Sequence, residues 1–98
     1  MQFTKKNVGS SLIVKIDGKI DTISAPELGM EINDSIDDIT KLVLDFGGVT
    51  YISSIGLRVL LELHKKMKEQ GVMELTNVTE DVMKIFKMTG FNNILTIV

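Results

Sequence analysis

A compact apolar run, Lys41-Leu42-Val43-Leu44-Asp45-Phe46, is followed within eight residues by the longest amphipathic helix pattern in the chain, Ser54 to Gln70. The run fits a strand buried on both faces, the pattern of a parallel central strand. A parallel neighbour can be reached only through a crossover of a dozen or more residues, usually a helix. This pair of features therefore calls for helices packed on a largely parallel sheet.

The rest of the chain agrees with that requirement. Phe3–Val8 and Ser11–Gly18 read as two strands joined at Gly9. In the second, Leu12, Val14 and Ile16 face one way and Ile13, Lys15 and Asp17 the other. Ser24 and Glu27 form a capping-box pattern, and Pro26 suits a first helical turn. Ala25, Leu28, Ile32, Ile36 and Ile39 then follow helical spacing. Gly47-Gly48 marks a tight connection after the central strand. The second helix pattern has an apolar arc of Leu57, Val59, Leu60, Leu61, Leu63 and Met67. Arg58–Glu62, Glu62–Lys66 and Lys65–Glu69 are i,i+4 charge pairs opposite it. Gly71 ends that helix, Val72–Asn77 is a strand, and Thr79 caps a third helix that buries Val82, Ile85 and Phe86 and stops at Gly90. Ile94–Val98 is a last strand. The expected fold is a single α/β domain: a mixed four- to five-stranded sheet, with an N-terminal hairpin followed by parallel strands, and three main helices.

Composition narrows the function. The 98 residues suffice for one modest core, and 44% hydrophobic with 24% charged residues describes a globular chain. A net charge of -2 gives no support to nucleic-acid binding. The absence of cysteine removes disulfides, thiolate metal sites and cysteine nucleophiles. No signal peptide or bilayer-spanning run is evident, so the default location is the cytoplasm, with no membrane role. Between residues 20 and 40 stand six acids, Asp21, Glu27, Glu31, Asp34, Asp37 and Asp38, and no Lys or Arg. They read first as a solvated face, and otherwise as a patch selecting a basic partner.

Little in the chain suits catalysis. The acids show no calcium-loop spacing, and Gly47-Gly48 lacks the residues of a phosphate loop, so neither metal nor cofactor is expected. The one histidine, His64, lies ten residues along the same helix from Ser54. That is about 15 Å, too far to act as its base, and His64 reads as a partly packed structural residue. The serine pair Ser53-Ser54 remains, at a helix start with free N–H groups and the positive end of the dipole. Ser53 as N-cap would accept from the N–H of Ile55 or Gly56, with Ile52 and Leu57 in staple positions. Ser54 then falls at the first helical position. On spacing alone, the plainer reading is that both serines only start a helix. Ile55 projects beside the charged face, either exposed as part of a binding surface or against the Gly47–Val49 connection.

Val49-Thr50-Tyr51-Ile52-Ser53-Ser54-Ile55-Gly56-Leu57-Arg58-Val59-Leu60-Leu61 resembles the signature of STAS domains, specifically the bacterial anti-sigma-factor antagonists. Gly18-Lys19-Ile20-Asp21, Leu42–Asp45 and Val82 to Leu95 resemble other parts of that family, so the likeness spans nearly all of residues 1–98. It implies a non-enzymatic protein that binds a serine-kinase anti-sigma factor and frees a sigma factor. In the family that kinase phosphorylates a serine at this helix start, and a PP2C-type phosphatase restores it. The usual motif is Asp-Ser-Ser-Gly or Asp-Thr-Ser-Gly. With Gly56 on its glycine, Ser54 takes the phosphorylated position. Ser53 replaces the aspartate, keeping the cap but losing a charge, and Ile55 replaces the second serine. The resemblance thus implies Ser54 as the phosphorylation site and Ser53 and Gly56 as its support. Asp21, Thr22, Ser53, Ser54, Ile55 and Arg58 would contact the partner. The alternative is a small-ligand or nucleotide sensor that uses the same helix start as an anion site.

Overall fold

The computed structural model describes all residues, 1–98. Five strands run Gln2–Val8 (β1), Ser11–Ile20 (β2), Lys41–Ile52 (β3), Val72–Thr76 (β4) and Thr96–Ile97 (β5). Three α-helices, Ser24–Asn33 (α1), Ser54–Lys68 (α2) and Glu80–Thr89 (α3), fill the crossovers, and a single 3₁₀ turn, Phe91–Asn93, precedes β5. The strands lie in the order β1-β2-β3-β4-β5. β1 and β2 form the antiparallel hairpin, and β2, β3, β4 and β5 are parallel. This is the α/β architecture expected, a mixed five-stranded sheet with three helices.

The topology corrects the reading of Lys41–Phe46 as buried on both faces. Each crossover steps one strand in the same direction, and right-handed crossovers then place every helix on one face. Leu42, Leu44 and Phe46 are fully buried beneath the helices, whereas Lys41 is exposed and Val43 and Asp45 are half-buried on the open face. Ion pairs Lys15–Asp17 at 3.9 Å and Lys41–Glu74 at 3.4 Å lie on that open side.

Gly47-Gly48 does not turn the chain. β3 continues to Ile52, paired with β2 as far as Ile20↔Ile52. The register slips at this point, Lys15 facing Asp45 but Asp17 facing Gly48, which inserts an extra residue into β3. A Cβ on Gly48 would displace the Asp17 carboxylate and lie 3.2 Å from the Asp17 Cα, so glycine suits the close approach of the strands there. A second slip follows, Gly18 facing Val49 but Lys19 facing Tyr51, and the two together reset the alternation: buried residues fall at Phe46, Val49 and Ile52. Glycine pairs usually mark turns, but here the need for close strand approach prevailed.

Several further expectations shift. α1 ends at Asn33, so Ile36 and Ile39 are not helical, yet they are buried at 0% and 5% exposure. The Gln70 side-chain amide donates to both carbonyls, Ile36 and Ile39, at 2.6 Å each, and this holds the apolar loop against the end of α2. None of the three i,i+4 charge pairs expected on α2 closes into an ion pair, and Leu61, Val59 and Ile85 are only half-buried. The last strand contracts to Thr96–Ile97, because Ile94 follows the 3₁₀ turn and only Leu95 enters the core.

One apolar cluster joins the sheet to all three helices. Thr79 caps α3 by accepting from the N–H of Val82 and also donates to the Val49 carbonyl, which fastens α3 to the bulged part of β3. Gly90 ends α3 in the left-handed region at φ 80°. No helix is long and apolar enough to cross a membrane. Phe46 is fully buried and meets Phe86 at 6.2 Å between ring centroids. Replacing Phe46 by Ala should lower stability by about 3–5 kcal/mol, read from the shift in urea midpoint at unchanged slope.

Candidate functional site at the start of the second helix

The site stands where β2 and β3 leave the sheet side by side. The Ser53 N–H donates to the Ile20 carbonyl at 2.8 Å, immediately beyond the Ile20↔Ile52 pair. That bond fixes the start of α2 against the start of the loop Asp21-Thr22-Ile23. Ser53 is extended (φ -84°, ψ 172°), and its Oγ accepts from the Gly56 N–H at 3.1 Å. Its carbonyl accepts from Leu57 at 2.9 Å. Ser53 is 7% exposed, so its backbone and hydroxyl are all engaged inside the fold. The expected N-cap is present, and of the two N–H groups that could serve it, Ile55 or Gly56, it is Gly56 that donates; Ile52 and Leu57 are both buried in the staple positions.

Gly56 is also a packing requirement. A Cβ there would lie 2.6 Å from Ile52 Cγ1 and 3.0 Å from Ile20 Cγ2. The helix can approach the ends of β2 and β3 this closely only without a side chain at this position.

Ser54 is the first helical residue and is exposed, with no hydrogen bond to its hydroxyl within the chain. Of the two serines, then, only Ser54 is presented to solvent. Arg58, one turn on, is also exposed and makes no ion pair. Ile55 is half-buried and packs against the core, which leaves it only partly available as surface. His64 is half-buried far along α2, and its Nδ1 is buried without a hydrogen-bond partner.

The loop before α1 has its own reciprocal cap, and it is not the Ser24–Glu27 pair. The Asp21 carboxylate accepts from the N–H groups of Ser24 at 2.8 Å and Ile23 at 3.1 Å. Ser24 Oγ in turn accepts from the Asp21 N–H at 3.0 Å and donates to the Asp21 carboxylate at 2.9 Å. The box has moved three residues upstream because Ser24 is already helical. Asp21 is thus turned into the loop, with Thr22 and Ile23 outside it; Ile23 is 88% exposed. Ile23 and Tyr51, the latter opposite Lys19 and also exposed, escaped the sequence reading. The available signal was that Ile23 falls out of phase with the stripe Ala25, Leu28 and Ile32. The acidic stretch is also less free than its composition implies, since Lys5 pairs with Glu31 at 2.8 Å.

The family model of the STAS domain matches residues 2–98. The chain is a STAS domain of the anti-sigma factor antagonist family. It is 32% identical over 96 residues to BtrV of Bordetella bronchiseptica, covering 96% of this chain and 83% of that one. It is 33% identical over 85 residues to the anti-sigma-B factor antagonist of Bacillus subtilis, covering 86% and 78%. The fold matches the crystal structure of an anti-sigma factor antagonist from Mycobacterium paratuberculosis with TM-score 0.87 and 21% identity, over 98% of this chain and 83% of that one.

In this STAS domain the hydrogen bonds at Asp21, above all from the Ser24 backbone, hold its carboxyl below the usual aspartate range. Asp45 is held down likewise, chiefly by the Gly47 N–H; burial opposes this, and the Asn77 amide and the Lys15 charge add smaller contributions in the same direction as Gly47. Both groups bind a proton less readily folded than unfolded. Their contribution is therefore present at neutral pH and is lost as the pH falls below about 4. Urea unfolding between about pH 6 and pH 3 should show a decline in stability that is shallower in Asp21→Asn. Removing the Ser53 hydroxyl leaves the Gly56 N–H unpaired in a buried site, so Ser53→Ala should cost about 1–2 kcal/mol, while Ser53→Asp keeps the cap. Chemical denaturation of the two variants checks this.

Proposed function

We propose that this STAS domain is an anti-sigma factor antagonist switched by phosphorylation of Ser54. Its partner is a serine kinase that is also the anti-sigma factor, and binding the unphosphorylated domain releases a sigma factor in the cytoplasm. A PP2C-type phosphatase reverses the modification. The observation that carries this reading is the division of labour between the serines: Ser53 is consumed as a buried cap, and Ser54 is left exposed at the first helical position. The family relationship supports the anti-sigma context.

The switch has a simple physical basis. Phosphate adds about -1.5 to -2 charges and three acceptor oxygens. At a helix start the free N–H groups and the dipole accommodate it, so the fold survives. A partner surface closing over Ser54 would have to strip water from that dianion, a cost of several kcal/mol and hence of two or more orders of magnitude in affinity. Thr22, Ile23, Tyr51 and Arg58 give the partner an exposed surface around Ser54, and Asp21 holds the loop in shape.

The domain acts by binding and not by catalysis. A hydrolase would need a base within reach of Ser54, and His64 is too distant. A ligand sensor is less well supported, because none of the three surface cavities is lined by Ser53, Ser54 or Asp21. The largest, about 440 Å³, lies between α1 and α2 around Met30, Val59 and Glu62.

Incubation with the cognate kinase and ATP should label the wild type and leave Ser54→Ala unlabelled. Equal labelling of both would overturn the assignment. Ser54→Asp should fold with an unchanged circular dichroism spectrum but bind the kinase at least about tenfold more weakly.

A further inference from the structure

We propose that Arg58 is the internal partner of phosphorylated Ser54, so that phosphorylation both adds a dianion to the binding face and withdraws its one exposed arginine. This deepens the switch at Ser54 and rests on that reading for its biological setting.

Ser54 and Arg58 stand four residues apart on α2, so they are neighbours on the helix surface with about 5–6 Å between their Cβ atoms. The order is also the favourable one, with the acidic group toward the N-terminus and the basic group one turn later. Both residues are exposed, and the pair needs no repacking of the core. Arg58 has no competing partner: Glu62, its expected i,i+4 mate, does not pair with it, and the three ion pairs in the chain use lysines. The first turn of α2 carries no acidic residue that would repel a phosphate. The cap residue, Ser53, is uncharged as well. The remaining nearby carboxylate, Asp21, is turned into its own loop and occupied by Ser24 and Ile23. Lys19, opposite Tyr51 on β2, is the other exposed cation near this end of the sheet, but it sits on a strand with no helical register to Ser54.

Guanidinium suits this role because its planar fork can bond two phosphate oxygens at once, which an ammonium cannot reproduce. In the unphosphorylated domain the same fork is free for an acidic group of the partner. Phosphorylation would therefore remove an attraction while adding a desolvation cost, making the switch steeper than charge addition alone.

The test uses the full chain with phosphoserine incorporated genetically at position 54, so it does not depend on any kinase. Phosphorus NMR follows the second ionisation of the phosphate in the wild type, Arg58→Lys, Arg58→Gln and Lys19→Gln. The wild-type phosphate should ionise lower than that of Arg58→Gln by about 0.3 pH unit or more, with the gap shrinking at high salt. Arg58→Lys should fall between them, and Lys19→Gln should match the wild type. An identical titration in wild type and Arg58→Gln would overturn the proposal, as would a larger effect from Lys19→Gln. Both arginine variants change an exposed side chain and should fold, as circular dichroism will verify. If Ser54→Ala were labelled by the kinase like the wild type, the switch reading would fail while this measurement still gave its own answer.

Discussion

The parallel pairing of β2 with β3 is the interaction on which the rest of the structure depends. It runs from Ser11↔Lys41 to Ile20↔Ile52, the longest pairing in the sheet. At one end it lines up the loop entering α1 with the start of α2, and the Ser53–Ile20 hydrogen bond locks the two together. Without that register Asp21, Thr22 and Ser54 would sit on unrelated parts of the surface. Binding residues carried at the carboxyl ends of adjacent parallel strands are a general property of open α/β sheets. Here two register slips, at Gly48 and again before Tyr51, supply the adjustment that brings Ile52 into the core.

The helix start shows how capping and exposure can be assigned to two adjacent residues of one type. A hydroxyl that caps is held inside by its own hydrogen bond and cannot be presented to a partner. A hydroxyl at the next position has no backbone group to satisfy and points outward. Gly56 completes the arrangement by letting α2 press against Ile20 and Ile52. The sheet supplies the rigidity that holds this one exposed hydroxyl in place.

Charge is distributed in keeping with this. The acidic stretch of residues 21–38 divides into a carboxylate that shapes a loop, one paired with Lys5, and others left in solvent. Composition alone treats these as one patch. The structure separates them because hydrogen bonding is decided by local geometry, which a count of acids does not contain.

By itself the sequence determined the element order, the hairpin, the three helices, and the Ser53 cap with Ser54 at the first helical position. All of these follow from local periodicity and from side chains bonding to nearby backbone. It also carried the family resemblance through the run from Val49 to Leu61. Only the tertiary structure decided what depends on distant partners. The Gly47-Gly48 pair became a bulge because β2 approaches there. Ile36 and Ile39 were buried outside the helix because Gln70 reaches across to hold them. One face of β3 stayed open because every crossover turns the same way. The cap of α1 passed from Ser24–Glu27 to Asp21–Ser24 because the end of β2 fixes where the helix can begin. Arg58 remained unpaired because the helix-surface pairs suggested by spacing, each worth only a few tenths of a kcal/mol, are too weak to impose themselves.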